Sequence, residues 1–160
     1  MNAIFLDIDG VLNDITSYEG HKTNKELLPP LEEKMLKNLV SIIKKTNAKI
    51  ILSSSLRINF KNNIPITKKG CLLEKEFSKY GIYIYDSLDL FLGPRGLEMS
   101  IYLKSHPEIN NYIILDDYID DMKPLPKDVI IQTWFSDHNE LGLCQCQTDQ
   151  AIKTLSKTKK

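Results

Sequence analysis

Short apolar runs alternate along this chain with longer stretches in which apolar residues recur every three to four positions. Residues 3–8 (AIFLDI) form the first run, halted by Asp9 and Gly10, and read as a buried strand. Residues 13–30 are polar, carry Gly20 and the Pro29-Pro30 pair, show no period and read as a loop or flap. From 31 to 46 (LEEKMLKNLVSIIKKT) the apolar positions 31, 35, 36, 39, 40, 42 and 43 follow helical spacing. Pro30 suits the first turn of that helix, and Lys44 and Lys45 suit the negative end of its dipole. Residues 48–52 (AKIIL), 82–85 (IYIY), 112–115 and 129–132 read as four further strands. Three more helices are expected at 74–80, closed by Gly81, at 97–105, stopped before Pro107, and at 148–155.

Strands and helices therefore take turns. That alternation predicts an α/β fold in three layers, with a mostly parallel five-stranded sheet and helices on both faces. In such sheets the working site lies beyond the carboxyl ends of the strands. Those ends here carry Asp7 and Asp9, the serines at 53 to 55, and Asp116 with Asp117. Residues two apart in an extended chain point the same way, so Asp7 and Asp9 are expected to reach one cavity. Carboxylates gathered there repel by about 4 kcal/mol per pair at about 4 Å and an effective dielectric of about 20, so the cluster needs a cation. Hard oxygen donors suit Mg²⁺. Taken alone, the Asp7–Gly10 run is equally well a turn; the turn reading leaves the second acidic pair without a reason.

Composition narrows the picture. The chain has 160 residues, 21 Lys and Arg against 21 Asp and Glu, and no formal net charge. One domain is expected over 1–160, and the balance argues against charge-driven binding to bulk nucleic acid. Cys71, Cys144 and Cys146 do not form a disulfide framework, so a reducing, cytoplasmic compartment fits. No apolar run is long enough to insert in a membrane, and the first residues read as a strand rather than a signal peptide. Residues 153–160 are polar and basic, a frayed end or a linker into a longer protein.

The ordered set of strand ends resembles a known family. The run FLDIDGVLN, with Asp7, Asp9 and Gly10, resembles the first motif of the haloacid-dehalogenase-like (HAD) phosphatases. IILS, ending at Ser53, resembles the second motif, and YIILDD, ending in Asp116 and Asp117, the fourth. More narrowly, ILSSSLR, PRGLEM, YIILDD and Leu141-Gly142-Leu143 resemble the HAD domain of multi-enzyme (Swiss Army Knife) RNA repair proteins, which usually have Trp where this chain has Leu56. The resemblance implies a Rossmann-like fold and an Mg²⁺-dependent phosphomonoester hydrolase. Asp7 would form an aspartyl-phosphate and Asp9 would act as acid and base. Asp7, the Asp9 carbonyl, Asp117 and Asp116 would hold Mg²⁺. Ser53, or Ser54 next to it, would hold the phosphoryl oxygens. For the third motif's cation the choice is Arg95, in a Gly-Pro-Arg-Gly turn at a helix start; Arg57 is the other candidate and, with Gly10, a candidate substrate contact. Asp121 reads either as a buttress of this site or as a first-turn acid on a short helix.

The stretches 13–30 and 57–70 are too short for a separate cap domain. A minimal cap implies an open site and a large substrate, a phosphorylated polynucleotide end or a phosphoprotein side chain. The alternative outside catalysis is a phosphate-binding interaction module. His21, His106 and His138 adjoin no nucleophile pattern, and Tyr80, Tyr83 and Tyr85 read as sheet packing rather than a base-stacking platform. The sequence leaves oligomeric state open.

Overall fold

Ile4, Leu6, Ile50, Leu52, Ile113 and Leu115 are buried on one side of a central sheet, and Ala3, Phe5, Ile51 and Ile114 on the other. This is the two-residue period of strands covered on both faces. The computed structural model describes residues 1–13, 28, 30–90, 93–134 and 142–157. The strands in chain order are β1 (Asn2–Leu6), β2 (Lys49–Leu52), β3 (Phe60–Lys61), β4 (Ile64–Pro65), β5 (Ile84–Ser87), β6 (Asn111–Asp116) and β7 (Ile130–Gln132). Five of them form the main sheet in the order β5-β2-β1-β6-β7, with every pairing parallel. β3 and β4 make a separate small antiparallel hairpin.

Among the described residues four α-helices cover the sheet: α1 (Glu33–Thr46), α2 (Lys68–Ser78), α3 (Arg95–Ser105) and α4 (Gln145–Leu155). Leu36, Leu39 and Ile42 of α1, Leu73 and Phe77 of α2, and Ala151 and Leu155 of α4 join the first core. Met99 and Tyr102 of α3 join the second, where Phe5 meets Tyr102 edge to face. The predicted three-layer α/β architecture is the one observed. Among the described residues, no helix is long and apolar enough to cross a membrane.

Several boundaries differ from expectation, each for a local reason. β1 stops at Leu6 rather than residue 8, because Val11 and Leu12 donate back to the Ile8 carbonyl and fold the chain into a turn. Pro30 lies outside α1, whose N-cap is Glu32; Lys44 and Lys45 do occupy its last turn. α2 begins at Lys68 rather than 74, capped by the Thr67 hydroxyl, which accepts from the Gly70 N–H. β5 is displaced toward its carboxyl end, so Tyr83 lies before the strand and exposed, and an irregularity opposite Ile50 and Ile51 skips Tyr85. Leu155 is buried in α4, so the polar tail begins after it. The expected flap lies outside the described residues except at 13, 28 and 30, as do His21, His138 and Leu141.

The strand order reverses between β1 and β6. In open α/β sheets that reversal opens the crevice where ligands bind. The register sets what stands there: Leu6 is level with Leu52 of β2 and with Leu115 of β6. One step further, Ser53, Asp7 and Asp116 come side by side.

Candidate active site

Backbone bonds fix this row. Asp7 N–H donates to Leu115 O at 3.0 Å, and Ser53 N–H donates to Leu6 O at 2.9 Å. Three adjacent parallel strands thus deliver a carboxylate, a hydroxyl and a second carboxylate to one rim. Asp7, Asp116 and Asp117 each offer an oxygen within 4.8 Å of the other two. Asp116 is fully buried, Asp7 nearly so, and Asp117 partly.

Gly10 makes room for the third acid. Its φ is +73°, and a Cβ there would lie 2.6 Å from Asp117 Oδ2. The left-handed turn and the close approach both exclude a side chain. Asn13 stabilises the turn from inside: its Oδ1 accepts from Gly10 N–H at 2.9 Å, and its Nδ2 donates to Asp9 Oδ1 at 3.0 Å. Thr133, just past β7, donates its hydroxyl to Gly10 O at 2.8 Å. Because of this turn Asp9 does not continue the extended chain from Asp7, and its carboxylate is not one of the three gathered oxygens. It remains close enough for its charge to raise Asp7 and Asp117.

Arg95 opens α3 and reaches into the cluster. Its Nη1 lies 2.8 Å from Asp116 Oδ2 and 3.6 Å from Asp7 Oδ1, and its Nε 3.5 Å from Asp121 Oδ2. Asp121 also accepts from the Arg95 and Gly96 backbone N–H groups, through its side chain and its carbonyl respectively. It buttresses the site by holding the start of α3, and no helix forms around Asp121 itself. Gly96 permits this: a Cβ there would lie 2.4 Å from the Met122 carbonyl carbon.

Arg57 sits elsewhere. It is buried in the 3₁₀ turn Ser55–Asn59, beneath the serines. Its Nη1 donates to Ser53 O at 2.8 Å and Ser54 O at 3.2 Å, and its Nη2 pairs with Glu98 at 2.8 Å. Glu98 lies three residues after Arg95 on α3, so one helix face serves both arginine sites. In this structure Arg57 braces the serine segment from below, while Arg95 is the arginine among the carboxylates.

The two serines differ. The Ser54 hydroxyl accepts from Leu56 N–H at 3.3 Å and lies close enough to the Asp7 carboxylate to favour its ionised form. The Ser53 hydroxyl is wholly buried and has no hydrogen-bond partner among the described residues.

The electrostatics match a crowded acidic pocket. Burial raises Asp7 to about 6, against the pull of Arg95 and with a push from Asp117. Burial and the neighbouring Asp7 raise Asp116 to about 8, and burial also raises Asp117. Burial disfavours the Arg95 charge, but Asp116, Asp7 and Asp121 outweigh it and hold its pKa above the ordinary value. Asp116 Oδ2, although beside Arg95, accepts no aligned hydrogen bond. Three carboxylates whose oxygens gather within 4.8 Å of one another are a hard-donor set that fits a small cation such as Mg²⁺.

Asn13, Thr133 and Glu98 escaped the sequence reading. Asn13 sits three residues after Gly10, a spacing at which a side-chain amide can return to its own turn. Thr133 and Glu98 act across 123 and 41 residues of chain, and no local signal marks them.

A family model described as "HAD domain in Swiss Army Knife RNA repair proteins" matches residues 3–144. Comparison with curated proteins and with solved structures returns no match.

Proposed function

Because this chain belongs to the family of HAD domains found in Swiss Army Knife RNA repair proteins, we propose that it is a phosphatase that hydrolyses phosphomonoesters through an aspartyl-phosphate on Asp7. The observation that carries this reading is the convergence of Asp7, Asp116 and Asp117 with Arg95 at the point where the strand order reverses.

Asp7 is the nucleophile. Arg95 and the Ser54 hydroxyl favour its ionised form at neutral pH despite burial. Its carboxylate oxygen bonds to phosphorus as the ester oxygen leaves, and Asp9 gives that oxygen a proton. Asp9 then takes a proton from the water that cleaves the acyl phosphate. Asn13 holds the Asp9 carboxylate for both transfers. The Ser54 hydroxyl, beside Asp7, would hold a phosphoryl oxygen, with the buried Ser53 hydroxyl next to it, and Arg95 supplies positive charge beside them. Mg²⁺ held by Asp7, Asp116 and Asp117, with the Asp9 carbonyl, would neutralise phosphate charge.

The family's setting in RNA repair favours a phosphorylated polynucleotide end as the substrate class. A phosphoprotein side chain is the second reading, compatible with the short segments around the site. Hydrolysis of p-nitrophenyl phosphate with Mg²⁺, against the same reaction with EDTA, tests the activity. Asp7→Asn should lose turnover by several orders of magnitude while keeping its fold. Full activity in that variant would refute the nucleophile. A panel of 3′- and 5′-phosphorylated oligonucleotides and phosphopeptides then ranks the two substrate classes.

A further inference from the structure

Away from the acid cluster, two thiols meet at the start of α4. Cys144 is the N-cap and is buried; Cys146, in the first turn, is exposed. Their Sγ atoms are 2.7 Å apart. A disulfide bond spans about 2.05 Å, so the two sulfurs stand within reach of each other for exchange. The phosphatase reading has no use for either thiol, and neither touches the carboxylates.

The surroundings hold the pair in place. Cys144 N–H donates to Gln147 Oε1 at 2.9 Å, and Cys144 O accepts from the Thr148 hydroxyl at 2.8 Å. On the preceding side Leu143 N–H donates to Val11 O at 2.9 Å. The backbone is thus pinned on both flanks of Cys144, which fixes where its side chain starts opposite Cys146. The third cysteine, Cys71, is exposed on α2 and has neither feature.

We propose that Cys144 and Cys146 form a thiol–disulfide exchange site whose co-reactant is a low-molecular-weight disulfide of the glutathione type. Cys146, being accessible, attacks first. It loses its proton, its sulfur bonds to one glutathione sulfur, and the other leaves as glutathione thiolate. Cys144 then loses its proton and attacks the Cys146 sulfur, expelling the second glutathione and closing a ring across Gln145. Two protein thiols are oxidised and one glutathione disulfide is reduced to two thiols. The second step is intramolecular and outruns capture by another molecule. The contact with Cys144 holds the Cys146 thiol above its ordinary range, so the reaction quickens in mild alkali.

The test incubates the full chain with oxidised glutathione at mildly alkaline pH and maps each cysteine by peptide mass spectrometry. The peptide holding both 144 and 146 should lose two hydrogens and carry no glutathione. Cys71 should carry a glutathionyl group, and dithiothreitol should reverse both. Cys144→Ser should leave a glutathionyl group trapped on Cys146; Cys146→Ser should leave Cys144 unmodified. Persistent glutathione on Cys146 in the wild-type chain, or intact thiols at 144 and 146 while Cys71 reacts, would overturn the proposal.

Discussion

The raised carboxylates make stability depend on pH in an unusual direction. An aspartate in the unfolded chain titrates near 3.8, whereas folded Asp7 titrates at about 6 and Asp116 at about 8. Between those values the folded state binds more protons than the unfolded state. Stability is therefore highest below the unfolded value and falls as pH rises through the folded ones. For Asp7 the whole effect is about 3 kcal/mol, roughly half of it between pH 5 and pH 8. A domain of this size loses about 2–4 °C per kcal/mol, so Asp7 alone lowers the midpoint by about 3–6 °C over that interval. Asp116 deepens the fall and extends it to the upper end. A bound cation reverses the sign locally, because it needs the carboxylates bare. Mg²⁺ at about a hundredfold its dissociation constant adds about 2.7 kcal/mol. That gain should be large at pH 8 and small at pH 5, where protons compete. Thermal melts at pH 5, 6, 7 and 8, with EDTA and with Mg²⁺, measure both trends. A metal-free midpoint that rises from pH 5 to pH 8, or a Mg²⁺ shift equal at both ends, would refute the reasoning. Asp116→Asn should flatten the metal-free slope.

Other perturbations have equally direct readouts. Glu98→Ala should lower stability by about 3–5 kcal/mol in denaturant melts, because the buried Arg57 charge loses its paired carboxylate. Gly10→Ala should weaken Mg²⁺ binding at least tenfold by calorimetry, since the new Cβ collides with Asp117. Asn13→Ala should lower kcat more than it raises KM for p-nitrophenyl phosphate, because it releases Asp9. Arg95→Ala should lower Asp7 reactivity and raise the pH at which activity half-appears, as the nearest positive charge is removed.

The layers of the fold were legible because burial on both faces leaves an unmistakable trace. Residues 3–6, 50–52 and 113–115 have no alternative to a central strand, and the order of their polar ends already marks the rim. Period alone did not place the edges. Lys68 to Gly70 carry no apolar signal, yet the Thr67 cap starts α2 there. The hairpin of β3 and β4 has two residues per strand, too few for any pattern to register. At the rim, residue type announced the acids, and the turn before a helix favoured Arg95 over Arg57 for the phosphate. What no local signal carried is the place of Arg57, drawn under the serines by Glu98, while the start of α3 brings Arg95 over the acids. The Asp7–Asp9 alternation told less than the turn does: the turn that seats Asp117 against Gly10 also hands the Asp9 carboxylate to Asn13.

Gly96 contributes no chemistry, yet it decides how far α3 can advance toward the segment after β6. Any larger residue would wedge helix and segment apart, and the guanidinium beside it would retreat by the same amount. A survey confined to charged and nucleophilic positions would pass over it, although Gly96→Ala should imitate the loss of its neighbour's charge. The reach of the cation is in this sense metered by a missing methyl group.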